Sequence, residues 1–168
     1  MCRTANLFDI NGLGQLKDGR GNICPVTIIL PTLAMEADRD WNRFMTLLDV
    51  KLTEAKDMLL ERFEYICSQK PDVASFMYEN NVMAGYVPAE GIRSALKHGT
   101  LAIGQLGLAE TLELIFGCDH TTEKGMEKAK EIEQLFKTRC SEFKEKYKLN
   151  FGVYYTPKFC GGYYSNIV

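Results

Sequence analysis

Residues 97–110 read KHGTLAIGQLGLAE, and this stretch decides the fold class. Within it, Thr100–Leu106 is a nearly unbroken apolar run, which is typical of a β-strand that is buried in a sheet. Gly107 leads directly into the apolar sequence Leu108–Phe116, which predicts a helix that ends at Gly117. A strand that runs straight into a helix indicates α/β construction.

Two further strands are predicted on either side of this unit in the sequence. Ile23–Leu30 is rich in β-branched residues and almost continuously apolar, so we expect a buried, parallel strand that is covered on both faces. Asn150–Tyr155, with the sequence NFGVYY, predicts a third strand. Helices that cross over between buried strands favour a parallel sheet or barrel.

Two long amphipathic helices are predicted between these strands. Apolar residues recur at three- and four-residue steps over residues 38–70, after which Pro71 ends the pattern. The same spacing continues to about Lys148 in a second helix, which either Thr121 or Thr122 can cap. The chain contains no internal repeat and no low-complexity linker, so we expect a single domain over residues 1–168.

The composition narrows the class of protein. Of the 168 residues, 46% are hydrophobic and 25% are charged, which suits a globular domain with its own core. The net charge of -2 gives no broad attraction to nucleic acid or to an acidic membrane surface. Every apolar run is interrupted by a charged residue before it reaches the roughly 20 residues of a membrane helix. The six cysteines include no CxxC pair and follow no signal peptide, so we expect reduced thiols and a cytoplasmic location.

Residues 2–22, CRTANLFDINGLGQLKDGRGN, form the first candidate functional segment. Four glycines in its second half predict a loop that turns tightly or approaches another group closely. At its end, Gly21 would let a substrate approach the backbone, or would simply serve the turn. The side-chain amide of Asn22 can donate and accept hydrogen bonds to a substrate, or can bond its own loop.

Other polar residues give weaker indications. His98, just before the second strand, would either bind a phosphate or donate a hydrogen bond at the strand entrance. Cys118, Asp119 and His120 can each ligate a metal, but adjacent residues seldom converge on one ion, so we expect no metal site there. The chain lacks GxxxxGK[ST] and GxGxxG, and thus no generic nucleotide-binding motif is present.

Residues 2–22 and 97–110 together resemble the catalytic core of the anaerobic (class III) ribonucleoside-triphosphate reductases. These glycyl-radical enzymes make deoxyribonucleotides for DNA replication. The resemblance extends through GCDHTTEKGMEKAK and EKYKLNFGVYYTP, to about Pro157. It implies an oxidoreductase with a fold that is part of the ten-stranded α/β barrel shared by ribonucleotide reductases and glycyl-radical enzymes.

The resemblance also implies roles for individual residues. Cys2 falls on the cysteine that carries the thiyl radical in this family and abstracts the 3′-hydrogen of the ribose. Asn22 falls on an active-site asparagine, beside Gly21, and the substrate is a ribonucleoside triphosphate. In the family, formate supplies the electrons, an activase that uses S-adenosylmethionine and an iron–sulfur cluster installs the glycyl radical, and paired CxxC motifs hold zinc.

This chain departs from the family in two respects. It contains neither the CxxC pairs nor a glycyl-radical segment, so we expect an internal fragment of the catalytic barrel that binds no cofactor and is inactive alone. Residues 158–168 form an atypical tail, in which Phe159 stands where the family has a glutamate. The alternative is a non-catalytic α/β remnant that acts through a protein partner. Missing strands would leave open sheet edges, which favour self-association.

Overall fold

The sheet at the centre of this computed structural model contains three parallel strands in the order β1-β2-β3. The structure describes residues 7–23, 25–80 and 82–155. The strands are β1 (Val26–Ile29), β2 (Thr100–Leu106) and β3 (Asn150–Tyr155). Strand β2 pairs in register with both neighbours, and the predicted bounds of β2 and β3 are confirmed.

Helices connect the strands and cover one side of the sheet. They are α1 (Leu30–Glu36), α2 (Trp41–Cys67), α3 (Ser75–Glu79), α4 (Arg93–Leu96), α5 (Leu108–Phe116) and α6 (Glu123–Tyr147). Short 3-10 turns at Pro71–Ala74 and Pro88–Glu90 precede α3 and α4. Among the described helices, none is both long and apolar enough to cross a membrane.

The first strand is shorter and less buried than the sequence predicts. The continuous apolar run Ile23–Leu30 predicts one strand, but α1 begins at Leu30, with Pro31 in its first turn. Proline fits there because the first amides of a helix have no partner within the helix. Strand β1 lies at an edge of the described sheet and Ile29 is 41% exposed, so the prediction of a strand covered on both faces is wrong.

Both long helices begin at a side-chain cap, and the cap of α6 is one of the two predicted threonines. The Asp40 side chain accepts a hydrogen bond of 2.8 Å from the backbone N–H of Arg43 at the start of α2. Of the two candidate threonines, Thr122 caps α6, and its hydroxyl accepts from the N–H of Gly125 at 3.1 Å. Each cap stabilises its helix by about 1 kcal/mol, because it satisfies an amide that has no partner within the helix.

The hydrophobic core lies between the sheet and the helices α2 and α6. Alternate residues of β2 and β3 face these helices, including Leu101, Ile103 and Phe151, each no more than 2% exposed. We call this side the helix face. The opposite side, the loop face, carries Thr27, Thr100, Ala102, Gly104, Asn150, Gly152 and Tyr154. Ile29 and Leu106 lie on the loop face as well, at its far end. Elsewhere the two faces differ in character, since large apolar residues line the helix face and mostly small or polar residues line the loop face.

Candidate functional site

The glycine-rich loop is attached to the sheet at both of its described ends. At one end, the side chain of Leu7 packs on Gly152, where any Cβ atom would collide with it. At the other end, Asn22 pairs with Thr100 in a parallel bridge. The N–H of Ile23 donates to the Thr100 carbonyl at 2.8 Å, and the N–H of Thr100 donates to the Gly21 carbonyl at 2.9 Å. The loop thus starts and ends against strands β3 and β2.

Both attachment points belong to the loop face. Gly152 lies on this face, and Asn22 is placed on it because paired residues of neighbouring strands point to the same side of a sheet. Ala102 and Gly104 beside them are small, and other side chains cover them, because Ala102 is fully buried and the ring of Tyr154 lies over Gly104. The predicted site residue Asn22 therefore shares a face with Leu7, the first described residue of the loop.

A second polar contact crosses the same face. The ring of Tyr154 lies over Gly104, where a Cβ atom would collide with it. The Tyr154 hydroxyl hydrogen-bonds the hydroxyl of Thr27, so a side chain of β3 reaches across β2 to β1. The absence of a side chain at Gly104 is what allows this contact.

A buried carboxylate organises the middle of the loop. Asp9 is 1% exposed, and its Oδ2 atom accepts from Nδ1 of His98 at 2.7 Å. Its Oδ1 atom accepts from Nδ2 of Asn150, also at 2.7 Å. The backbone amides of Asn11 and Leu13 donate to the same carboxylate at 3.0 and 2.9 Å. Side chains from the entrances of two strands and amides of the loop thus meet at one residue.

These contacts control the ionisation of Asp9. Burial by itself raises the pKa of a carboxyl group, because it removes the charged form from water. The hydrogen bonds from Asn150, Leu13, His98 and Asn11 outweigh burial and lower the pKa of Asp9 from 3.8 to about 2. The carboxylate is consequently ionised at neutral pH.

Arg20 also stabilises the same loop, through hydrogen bonds to three backbone carbonyls. Its Nε atom donates to the carbonyl of His98 at 2.7 Å, and its two terminal nitrogens donate to the carbonyls of Leu16 and Leu7 at 2.6 and 2.8 Å. The guanidinium is nearly buried, with 9% of the residue exposed. Its donors serve the loop backbone, so Arg20 holds the loop closed.

The predicted site residues that the structure describes lie in two different environments. Cys2 and the tail at residues 158–168, including Phe159, lie outside the described residues. Asn22 and Gly21 are partly exposed and border a cavity of about 320 Å³ that Met77 and Met83 also line. A Cβ atom at Gly21 would meet nothing within 4 Å, so the backbone there is open to approach.

His98 occupies a different environment from Asn22. It is 5% exposed, its Nδ1 atom is bound to Asp9, and the Nε2 side of its ring packs closely on Gly85. This arrangement favours the hydrogen bond at the strand entrance over phosphate binding, which the sequence indicated only weakly.

The sequence did not point to Asp9, Asn11, Arg20 or Asn150. One local signal was present, because Asp9 accepts from the amide two residues later, as in an Asx turn. The partners 89 and 141 residues away left no pattern in the sequence.

Metal binding receives no support from the described part of the chain. It contains no group of three or more His, Cys, Asp or Glu side chains arranged to hold an ion. The described residues therefore do not form the zinc site that the family resemblance implies for the intact enzyme.

Comparison with protein families and curated proteins gives a consistent result. The family model described as anaerobic ribonucleoside-triphosphate reductase matches residues 1–158. The enzyme of that name from Escherichia coli (strain K12) is 29% identical over 148 residues, which cover 85% of this chain and 21% of the relative. Its counterpart from Salmonella typhimurium is 28% identical over the same length. The chain thus spans about a fifth of these relatives.

Solved structures show the same relationship at the level of the fold. The anaerobic ribonucleotide reductase of Thermotoga maritima, with glycerol in the active site, aligns with a TM-score of 0.66 at 18% identity, over 90% of this chain and 24% of that chain. The same enzyme in complex with dATP and CTP also has a TM-score of 0.66, at 17% identity. The predicted fold class, part of the α/β barrel of these reductases, is confirmed.

Proposed function

This chain belongs to the anaerobic ribonucleoside-triphosphate reductase family, and we propose that it forms the substrate side of a ribonucleotide-reducing active site. One observation carries the proposal. The loop of residues 7–22 meets the loop face at both ends, through Leu7 on Gly152 and through Asn22 paired with Thr100. Leu7, the first described residue of this loop, and Asn22, its last residue, therefore meet the same side of the sheet.

The proposed chemistry begins at Cys2. Its thiyl radical takes the hydrogen atom from C3′ of the ribose, which forms an S–H bond and leaves a carbon radical. This exchange suits sulfur because the bond that forms and the bond that breaks are close in strength. The 2′-hydroxyl then takes up a proton and leaves as water, and formate, which becomes carbon dioxide, supplies the two electrons of the net reduction. Cys2 finally returns a hydrogen atom to C3′, which breaks the S–H bond and restores the thiyl radical.

Asn22 and Gly21 are proposed to hold the substrate. The Asn22 amide can donate to one ribose hydroxyl and accept from the other, which orients the C3′–H bond toward sulfur. The open backbone at Gly21 lets a ligand approach more closely than any side chain would permit.

Generation of the thiyl radical at Cys2 requires additional protein. In the proposed reaction, a glycyl radical installed by an activase that uses S-adenosylmethionine and an iron–sulfur cluster supplies the oxidising equivalent for Cys2. We expect purified chain alone to give no turnover with formate and ribonucleoside triphosphate, because this sequence contains no glycyl-radical segment. Formation of deoxynucleotide by the isolated chain would contradict this expectation.

Nucleotide binding to the chain itself provides the first test. The chemical shifts of the Gly21 and Asn22 amides should change on titration with CTP, and Asn22→Ala should weaken this binding several-fold. Gly21→Ala should leave the unfolding midpoint unchanged, because its Cβ has space, yet should weaken binding if the nucleotide contacts this backbone. Unchanged shifts at millimolar CTP would refute a substrate site here.

Turnover provides the second test. The 148 matching residues of the Escherichia coli reductase can be replaced by this chain and the chimera assayed with formate and activase. The chimera should form deoxynucleotide, and Cys2→Ser should abolish the reaction. Activity that survives Cys2→Ser would refute the radical role.

A role in association has separate support at the edge of the sheet. Strand β1 pairs only with β2 among the described strands, and a groove of about 300 Å³ runs beside it. Ile29 and Met58 on this groove are 41% and 45% exposed. Self-association through the free edge of β1 would pair its backbone groups and cover these apolar side chains.

A further inference from the structure

We infer that Asp9, His98 and Asn150 form a loop clamp that positions the glycine-rich loop, and with it Asn22, on the loop face. The consequence for catalysis rests on the proposed function, whereas the clamp itself can be tested on the chain alone. None of the three residues needs to touch substrate, because each is at least 95% buried. They act as positioning residues.

The clamp joins three parts of the chain that are remote in sequence. Asp9 belongs to the loop, His98 comes two residues before β2, and Asn150 is the first residue of β3. Both Asp9 oxygens are engaged from the strand entrances, at 2.7 Å in each case. A single carboxylate therefore fixes the loop to the beginnings of two adjacent strands.

Asn150 both donates a hydrogen bond to the loop and accepts one from it. Its Oδ1 atom accepts from the backbone N–H of Ile10 at 3.1 Å, while its Nδ2 atom donates to Asp9. The same Nδ2 atom also lies 3.2 Å from the carbonyl of Gly99. Asn150 is fully buried and uses both ends of its amide, so it bridges loop and sheet rather than merely filling space.

Asn11 makes a second set of hydrogen bonds between the loop and the two strand entrances. Its Nδ2 atom donates to the carbonyl of Lys97 at 2.9 Å and to that of Lys148 at 3.2 Å. These two carbonyls lie just before β2 and β3, so the contact reaches the same two strand entrances as Asp9.

The imidazole of His98 has little freedom to move away. Gly85 packs directly on its Nε2 side, at a backbone φ of 75°, and the close approach excludes a side chain there. Because the carboxylate is buried, losing one donor leaves a charge that is under-compensated and out of reach of water. We therefore expect the clamp to release as a unit when one partner is removed.

The clamp can be tested by amide hydrogen exchange of the complete chain. His98→Phe keeps a ring against Gly85 but removes the Nδ1 donor, and it breaks none of the hydrogen bonds that the loop amides make. The amides of Ile10, Asn11 and Leu13 should nevertheless exchange at least about tenfold faster, because Asp9 and Asn150 no longer hold them in place. The matched control is Asp18→Asn, which changes a carboxylate of the same loop outside the clamp.

The hydrogen-exchange rate of an amide in β2 distinguishes release of the clamp from a general loss of stability. The amide of Ile103 in β2 should keep its rate in His98→Phe. Unchanged rates at Ile10, Asn11 and Leu13, or an equal increase at Ile103, would overturn the clamp. If His98→Phe does not fold, Asn150→Ala is read by the same criteria at Asn11 and Leu13. It removes a clamp residue, but it leaves the hydrogen bonds of these two amides to Asp9.

Turnover in the chimera distinguishes the clamp from the proposed function. His98→Phe should lower kcat at least about tenfold while the KM for nucleotide stays within about twofold, as expected for a residue that positions the loop and does not itself bind nucleotide. A rise in KM alone would instead assign His98 to substrate binding and overturn its positioning role. If Cys2→Ser retains full activity, the proposed function fails, and the exchange data still decide whether the clamp exists.

Discussion

The carboxylate of Asp9 lies 2.7 Å from Nδ1 of His98, although 89 positions separate the two residues in the chain. This contact connects the glycine-rich loop to the entrance of the central strand. The loop contains the residues that the family resemblance assigns to catalysis, and the strand lies at the centre of the sheet. The pair thus relates the stability of the fold to the geometry of the candidate site.

Asp9 should make stability depend on pH in the acidic range. Its pKa is lowered from 3.8 to about 2 in the folded chain, so its contribution is fully present above about pH 4 and is lost as the pH falls toward 2. The free energy of unfolding should therefore lose roughly 2 kcal/mol from this residue between pH 5 and pH 2. Urea titrations of wild type and Asp9→Asn measure the effect, and a difference between them that does not shrink with falling pH would contradict it.

Thr100→Val should stabilise the chain. The Thr100 hydroxyl is fully buried and has no hydrogen-bond partner among the described residues. Replacing a buried hydroxyl that lacks a partner with a methyl group should raise the free energy of unfolding by about 1 kcal/mol. Thr53→Val, on the exposed side of α2, serves as the control and should change it by less. Destabilisation by Thr100→Val in urea titrations would show that the hydroxyl has a partner.

Gly104→Ala should destabilise the chain by about 2 kcal/mol, because the new Cβ atom collides with the ring of Tyr154. Gly21→Ala is the matched control, since its Cβ atom meets nothing within 4 Å. Thermal unfolding should show a lower midpoint for the first variant alone. Equal midpoints would mean that Tyr154 moves aside without cost.

Cys140 should resist alkylation in the native chain. Burial raises the pKa of its thiol to about 12, so almost no thiolate is present at pH 8. We expect iodoacetamide to modify Cys140 at least about a hundredfold more slowly in the folded than in the urea-unfolded chain, as measured by peptide mass spectrometry. Similar rates in both states would show that α6 opens readily around this residue.

Ile29→Lys should weaken self-association of the chain. A lysine at the open edge of β1 places a charge where a second strand would pair. Met126→Lys is the control, because Met126 on α6 is also 41% exposed and lies away from that edge. Sedimentation velocity should show a shift toward monomer for the Ile29 variant only. If both variants sediment like wild type, association does not use the edge of β1.

Local patterns in the sequence were sufficient for most elements. The bounds of β2, β3 and α5 were predicted correctly, because an apolar run bounded by glycine or a polar turn specifies them within a few residues. Helix α1 was missed because its residues continue the apolar run of β1, and period alone does not distinguish a buried strand from a buried helix.

The candidate site was predictable only in part. Cys2, Gly21 and Asn22 were identified through resemblance to a family, and the placement of Asn22 on the loop face is compatible with the role that the resemblance implies. Asp9 and Asn150 were not identified, because each is an ordinary polar residue in its own segment. Their hydrogen bonds form only when the ends of two strands come together beside the loop.

The sequence by itself determined the family and the order of the three strands, α5 and the two long helices, since these depend on residue types at short spacing and on extended similarity. The tertiary structure alone decided which face of the sheet the loop occupies, that β1 lies at an edge of the described sheet, and that His98 is buried against Asp9. These features depend on contacts between segments as many as 141 residues apart, and such contacts exist only once the chain has folded.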